Sequence, residues 1–529
     1  MKLLHWLAIA ALFSACAQVR QPQGGPKDTT PPQLLSAEPA NGSTNFTARR
    51  IVLHFDERIT LTKVRERLLI SPPLDVAPDV SISGGKDVVI NLRAPLQPDR
   101  TYTFNIGEVV SDLSESNPAQ GLTYVISTGG HLDSLSVSGK VVDAATEKPA
   151  ADVLVLLQIA TDTGDVRSSP PQWFTRSDAR GRFTVSNLPP GAKRIYALRD
   201  RNGNYRYDLP TEDIAFQAGT VEPGLGTSTT LRLFAAPSPT QFVSQAKVLP
   251  ERGWQLAMAR PAGDLELSAL DRQGGILKWW PEWNAVRDTV VFWPSDTTLL
   301  TGARFALLEG GVDIDTLVYR PSVDMPFYLT VTAGEDVAGV PFLRSSRPVG
   351  ESDSAKAVLK MDSTTVPFLS TLDSMDRRTV HLTASAASKG TALVLYPGAL
   401  KAEMGGTNDT TMLRLGQVDP KTLGKLAVEL KADSVTVLQG PFILQLRNAA
   451  DRVLRQARVD SLAATILWER LPAGSMSLRL VEDRNGDGRW TTGTFSPPQQ
   501  PEQVMNLKDP VIVRAGWSVE TNWVLGDQR

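Results

Sequence analysis

The chain has 529 residues, with 55 Lys plus Arg against 57 Asp plus Glu and a formal net charge of -2. That length exceeds one hydrophobic core and predicts several domains, at a scale of about 150 residues each. The charge balance gives no electrostatic basis for nucleic-acid binding, and a single cysteine excludes an intrachain disulfide. Gly (40) and Pro (37) are plentiful without a period, which excludes a collagen-like chain and reads as turn punctuation.

The first elements lie at the N-terminus. Lys2 is followed by an apolar run from Leu3 to Phe13, broken only by His5, and then by the small residues Ser14 and Ala15 directly before Cys16. This is the charge, apolar core and cleavage site of a signal peptide over residues 1–15. The run is too short to span a bilayer, which takes about 20 apolar residues. Leu12-Phe13-Ser14-Ala15-Cys16 resembles a bacterial lipobox, with Phe13 where an aliphatic residue is usual. The resemblance implies acylation of Cys16 and anchoring by two or more chains, which holds where one chain is marginal. The competing reading is an ordinary secretory signal with its cysteine there by chance. Residues 16–32, rich in Gly and Pro, predict an extended tether.

From Gln33 onward short strands are expected. Ile51–Phe55, Val88–Leu92 and Thr101–Ile106 are β-rich runs separated by Asn41-Gly42, Gly84-Gly85 and Pro98-Asp99. The spacing predicts a β-sandwich over 33–130. Asp28–Pro32, Ser36–Pro39, IVLHFDE at Ile51–Glu57, Leu96–Asn105 and Ile126–Thr128 resemble a bacterial Ig-like domain of the S-layer-protein type. With Gly24–Lys27 in front, the start is similar to that of large Ig-like lipoproteins of the Bacteroidota. The next segment, 133–236, carries VSGKVVDAATEKPAADVLVLL, TRSDARGRFTV and Asn187–Gly191. It resembles the prealbumin-like β-sandwich associated with carboxypeptidases, a resemblance that brings no catalytic residues.

Residues 237–364 read as a β-rich region of unclear type, with Trp279, Trp280, Trp283 and the run Val290–Trp293. Two internal repeats organise the rest. Leu188-Pro189-Pro190-Gly191 precedes Asp200-Arg201-Asn202-Gly203-Asn204 as Leu471-Pro472-Ala473-Gly474 precedes Asp483-Arg484-Asn485-Gly486-Asp487, without a gap. This predicts a second prealbumin-like sandwich over 433–529. More faintly, Gly107, Asp112, Leu113 and Asn117 match Gly398, Glu403, Met404 and Asn408 at one offset, which predicts a divergent Ig-like domain over 365–432. Trp490–Gly493, Gln500–Glu502 and Trp517–Trp523 also resemble the end of the same lipoprotein family. The expected fold class is all-β, with several Ig-like and prealbumin-like β-sandwich domains in series.

Asp483, Asn485 and Asp487 stand at alternate positions with Gly488 next, the spacing of positions 1, 3 and 5 of an EF-hand loop, which suits Ca²⁺. Position 12 is Thr494 rather than Glu, and a strand-like run precedes the loop. A plain hairpin turn built on Asn-Gly and Asp-Gly is the other reading. In the first copy Asn204 replaces the last Asp, and Asp208 is a further candidate oxygen ligand. Asp56 and Glu57 are adjacent acids, but neighbours in a strand point to opposite faces and suit a solvated strand end better than an acid–base pair. His5 leaves with the signal peptide, and His54, His131 and His381 fall in separate segments, which argues against zinc. No nucleophile elbow, P-loop or dinucleotide fingerprint is present. The three Trp residues suit a core or interdomain seam better than a sugar-stacking platform.

These readings predict a non-enzymatic, lipid-anchored envelope protein of the outer membrane. It would bind or scaffold an outer-membrane protein complex, with the bilayer as partner through Cys16 and no nucleic acid. The alternatives are a carbohydrate-active or peptidase enzyme with an unrecognised site, and a surface adhesin. Ala17–Arg20 lacks the acidic export signal that an adhesin would be expected to carry.

Overall fold

A computed structural model describes residues 28–529 except 108, 120, 225, 272–277, 285, 295–301, 321–328, 362–363, 385–390, 404, 416–417, 433–439 and 526–529. Cys16 and most of the expected tether lie outside the described residues. The regular secondary structure of the described chain is almost wholly β-strand. The described residues fall into two compact units, one of those up to Val141 with Ala151–Tyr207 and Gly219–Leu231, the other of Val142–Ala150 with Asp208–Ala218 and those from Arg232 onward.

Strand formation follows alternation. In Arg50–Phe55 the residues Ile51, Leu53 and Phe55 are buried, while Val52 and His54 are only half-buried. That strand sits inside a four-stranded sheet ordered Leu34–Glu38, Arg50–Phe55, Asp87–Asn91, Asp79–Ser83. A three-stranded sheet, Leu69–Ser71, Thr101–Asn105, Thr123–Ser127, shares its core through Ile70, Phe104, Tyr124 and Ile126. This is the expected sandwich.

The same plan recurs in the region that was illegible by sequence. Val243–Val248, Trp254–Met258, Thr289–Pro294 and Trp279–Trp283 form one sheet, and Leu265–Ala269, Arg304–Glu309 and Val312–Val318 the other. Each four-stranded sheet takes two consecutive strands and then a later pair in reversed order. Trp254, Leu256, Phe292, Phe305 and Leu307 fill the core between the two sheets.

A third sandwich repeats this order in one of its two four-stranded sheets. Its four-stranded sheet is Val331–Glu335, Pro341–Ser345, Thr379–Ala384, Phe368–Leu372, and its partner is Thr364–Val366, Ala357–Met361, Thr391–Leu395, Thr411–Arg414. One core runs from Leu329 to Leu415, so this sandwich crosses the expected boundary between 364 and 365. Leu423–Ala432, placed by sequence in the same domain, instead packs in the C-terminal core. The physical reason is pairing: Leu423–Ala432 lies between Thr465–Pro472, antiparallel, and Ser518–Leu525, parallel.

The two segments related by the Leu-Pro-x-Gly repeat share their pairing. Leu135–Asp143 runs antiparallel to Arg182–Leu188, as Leu423–Ala432 does to Thr465–Pro472. Leu154–Ile159 lies between Trp173–Arg176 and Lys193–Leu198. Phe442–Asn448 likewise lies between Val453–Val459 and Gly474–Glu482. Gly139 and Gly424 each mark a close approach, at different positions along the paired strands. A Cβ on Gly139 would meet the Thr229 carbonyl oxygen at 2.0 Å, and one on Gly424 the Arg514 carbonyl oxygen at 2.4 Å.

The fainter repeat also has a structural counterpart, with roles exchanged. Buried Asp112 accepts from the amides of Glu115, Ser116 and Asn117. Near 400 the matching Glu403 is exposed. Its capping role passes to buried Asn408, which accepts from Leu400 N and donates to Tyr396 O and Asp409 O. Met404 lies outside the described residues.

Candidate functional site: the acidic turn at Asp483

The turn follows the strand Gly474–Glu482, whose buried residues Leu478, Leu480 and Val481 fix where the chain leaves the sheet. Beyond it, alternate side chains cap successive amides. Asp483 Oδ2 accepts from Gly488 N at 3.1 Å, Asn485 Oδ1 from Asp487 N at 2.9 Å, and Asp487 Oδ1 from Arg489 N at 3.0 Å. Gly486 and Gly488 take φ values of 71° and 78°, the left-handed backbone that turns the loop back on itself.

The first copy makes the same ladder. Asp200 Oδ2 accepts from Tyr205 N at 2.9 Å, Asn202 Oδ1 from Asn204 N at 3.2 Å, and Asn204 Oδ1 from Arg206 N at 2.8 Å. Asp200 Oδ1 also accepts from Gly203 N at 2.7 Å, so both of its oxygens are used, and Asp200 is partly exposed. In the second copy the corresponding Gly486 N turns to the Asp483 main-chain oxygen at 3.3 Å. Asp483 is fully buried, and its Oδ1 has no hydrogen-bond partner. Sequence already favoured the second turn, since Asn204 replaces the last Asp in the first; burial separates the two further.

Glu502 lies inside the second loop, a residue that the spacing did not single out. Its carboxylate accepts from Thr491 N at 2.8 Å and Asn485 N at 3.4 Å, while its carbonyl accepts from Trp490 Nε1 at 3.0 Å. Burial raises its pKa above the ordinary carboxylate value and the charge of Asp483 adds to this, while backbone amides oppose it. Glu482, also buried, is paired with Arg484 at 2.9 Å. Among the described residues, no three His, Cys, Asp or Glu side chains converge tightly enough to hold a metal by themselves. The Asp487 carboxylate is turned toward Thr491 Oγ1 and Arg489.

The stretch after the turn is a clasp within its own compact unit. Thr492 Oγ1 donates to Ala235 O at 3.0 Å, and Gln500 Nε2 to Phe216 O at 2.7 Å. The Phe495 ring meets the Phe216 ring edge-on at 5.7 Å, and Gly493 leaves room for Phe234, whose ring a Cβ there would meet at 2.7 Å. The Trp-Thr-Thr-Gly and Gln-Pro-Glu strings therefore have a contact role.

The other residues singled out by sequence do not converge. His54 pairs with Asp87 and His381 with Asp373, each at 2.9 Å and in different sandwiches, while His131 lies 4.0 Å from Asp133. Asp56 Oδ1 accepts from Gln33 N at 2.8 Å, and Glu57 is raised by burial and by Asp56. Trp279 and Trp283 pack against the second sandwich core, while Trp280 lies under the Arg377 guanidinium at 4.9 Å. A cleft of about 180 Å³ is lined by Asp99, Arg100, His131, Asp133 and Trp173. It is small beside the several hundred Å³ of ordinary ligand pockets. No helix among the described residues is long and apolar enough to cross a membrane.

Residues 28–128 match the family model of a bacterial Ig-like domain. No curated protein matches the chain. Among solved structures, similarity is found to BcpA, the major pilin subunit of Bacillus cereus, at 11% identity, 74% of this chain, 98% of that chain and a TM-score of 0.14. The S-layer protein rSbsC is similar at 10% identity, 86% and 65% coverage and a TM-score of 0.14. A DUF3823 family protein from Bacteroides uniformis is similar at 9% identity, 71% and 100% coverage and a TM-score of 0.15.

Proposed function

We propose that this chain is an exported, lipid-anchored envelope protein that acts by binding or scaffolding rather than by catalysis, with an outer-membrane protein complex as partner. The observation that carries the reading is the order of segments. A signal-like run ends at Cys16, a Gly- and Pro-rich stretch follows, and the bacterial Ig-like match begins at residue 28. Serial β-sandwiches extend reach from an anchor, and confinement to a surface raises the effective concentration for neighbours in the same membrane. The three sandwiches of one plan supply repeated exposed strand edges and loops of the kind used for protein contacts.

Two measurements test this. Metabolic labelling with a palmitate analogue is expected to mark the native protein and not Cys16→Ala, which would leave the membrane fraction. Mild-detergent purification of the native protein is expected to bring down a defined set of outer-membrane proteins. An unlabelled wild-type protein overturns the anchor. Recovery of the membrane-bound protein alone, at native expression, overturns the scaffold.

A further inference from the structure

We propose that the loop Asp483–Gly488 is a site for one hard divalent cation, Ca²⁺ rather than Mg²⁺, held by Asp483, Asn485 and Asp487 with Glu502 closing it, and that the sister loop at Asp200 is not. The inference is independent of the envelope role. It starts from the Asp483 side chain, which is fully buried with an unpartnered Oδ1. A buried carboxylate oxygen without a donor is costly unless a cation or proton compensates it. The other oxygen is fixed by Gly488 N across the loop, so the carboxylate is held inside the turn, where buried Glu502 also sits.

The donor set suits a hard ion: carboxylate and amide oxygens at alternate positions, and no His or Cys between residues 483 and 502. Asn485 Oδ1 already faces the loop interior through Asp487 N. Asp487 is exposed, and rotation of its carboxylate onto the ion would exchange its present bonds to Arg489 N, Asn485 Nδ2 and Thr491 Oγ1 for the cation. Such an irregular set, completed by water, fits the flexible six-to-eight-oxygen sphere of Ca²⁺ better than the strict octahedron of Mg²⁺. Asp200, by contrast, has both oxygens committed to amides.

The site would act on the clasp. Glu502 ties the turn to Thr491 and Trp490, next to Thr492, Phe495 and Gln500, which hold Ala235 and Phe216. A bound ion would stiffen this stretch.

The test uses the full-length protein in detergent after chelation. Tb³⁺ is titrated as probe, with Trp490 beside the loop as sensitiser, and Ca²⁺ and Mg²⁺ as competitors. The expected result is saturable emission displaced by Ca²⁺ at least tenfold better than by Mg²⁺. It should be lost in Asp483→Asn, weakened at least tenfold in Asp487→Asn and unchanged in Asp200→Asn. Ca²⁺ should also slow amide exchange over 490–502 in wild type. If Asp483→Asn does not fold, the exposed Asp487→Asn decides the same point. Absence of Ca²⁺-displaceable emission in wild type, or an unchanged Asp487→Asn affinity, overturns the site; equal loss in Asp200→Asn overturns the distinction between the copies.

Discussion

Tyr319 does for the second sandwich what Tyr124 does for the first. The Tyr124 hydroxyl donates to Pro39 O at 2.9 Å and the Tyr319 hydroxyl to Arg252 O at 2.7 Å. Each reaches from the last strand of a three-stranded sheet, or the residue just after it, to the backbone close to the first two strands of the facing sheet. Both rings are fully buried, so each bond ties the two layers at one place. Replacement by Phe leaves a carbonyl without its donor and is expected to cost about 1–2 kcal/mol in the affected sandwich. Because a multidomain chain does not melt as one unit, the readout is amide exchange: faster over 34–127 for Tyr124→Phe and over 243–319 for Tyr319→Phe.

The same two hydroxyls set an alkaline limit. Burial pushes both pKa values up to about 12, against about 10 for an exposed tyrosine. The folded state favours the neutral phenol, so this stability is fully present below pH 10 and is lost as pH rises toward 12. Absorbance titration is expected to show late-ionising phenols, with Tyr124 and Tyr319 joined by Tyr102, Tyr196 and Tyr205, which burial also raises, and the titration of Tyr124 and Tyr319 should accompany loss of β structure. Each Phe variant should remove one of them.

At the acid end, Asp373 in the third sandwich is held down to about 2, first by its hydrogen bond with His381 and then by the amides of Asp376 and Met375. A depressed carboxylate contributes stability above its unfolded value, near 4, and loses it as pH falls through about 2. The pair is partly exposed, so Asp373→Asn is expected to cost about 1 kcal/mol or less at neutral pH. The variant should also flatten the stability profile between pH 4 and 2, measured by circular dichroism.

Gly139→Ala and Gly424→Ala are expected to be among the most disruptive small substitutions. Each puts a methyl group against a main-chain oxygen rather than a movable side chain, and overpacking of this kind costs about 1–3 kcal/mol or more. Limited proteolysis should show new cleavage in 135–198 for the first and in 423–525 for the second. Resistance equal to wild type in both would contradict the close approach.

The tryptophan cluster gives a contrast. Trp254 is buried against Trp279, Phe305 and Tyr319, so Trp254→Ala is expected to cost about 3–5 kcal/mol. Trp280, stacked on Arg377 and half-buried, should cost about 1 kcal/mol or less as Ala. Comparable losses at both positions would reject the core reading.

The first sandwich was legible because Arg50–Phe55 alternates cleanly and glycine turns separate its strands. The second was not. Its Trp279–Trp283 strand has no fully buried residue and Val312–Val318 is largely exposed, so period-two contrast is weak and only pairing reveals the plan. The misplaced boundary near 365 has a similar cause: Val331–Ser345 earns its place through long-range pairing of Pro341–Ser345 with Thr379–Ala384, which no local pattern encodes. The turn chemistry at Asp483 was readable as spacing. Its burial and the presence of Glu502 arise from chain that returns nearly twenty residues later, and Asp200 shows how the same letters give a satisfied, partly exposed turn.

The parallel pairing of Leu423–Ala432 with Ser518–Leu525 has a mechanical side. The first and last described strands of the C-terminal domain lie next to each other and point the same way, in register from Lys425–Ser518 to Ala432–Leu525. Tension entering at Leu423 and leaving at Leu525 pulls the two strands past each other along their length. The slanted, evenly spaced bonds of a parallel ladder then share the load together instead of opening one by one. Loaded in that way, the C-terminal domain is a shear fastening, expected to yield at high force in single-molecule stretching.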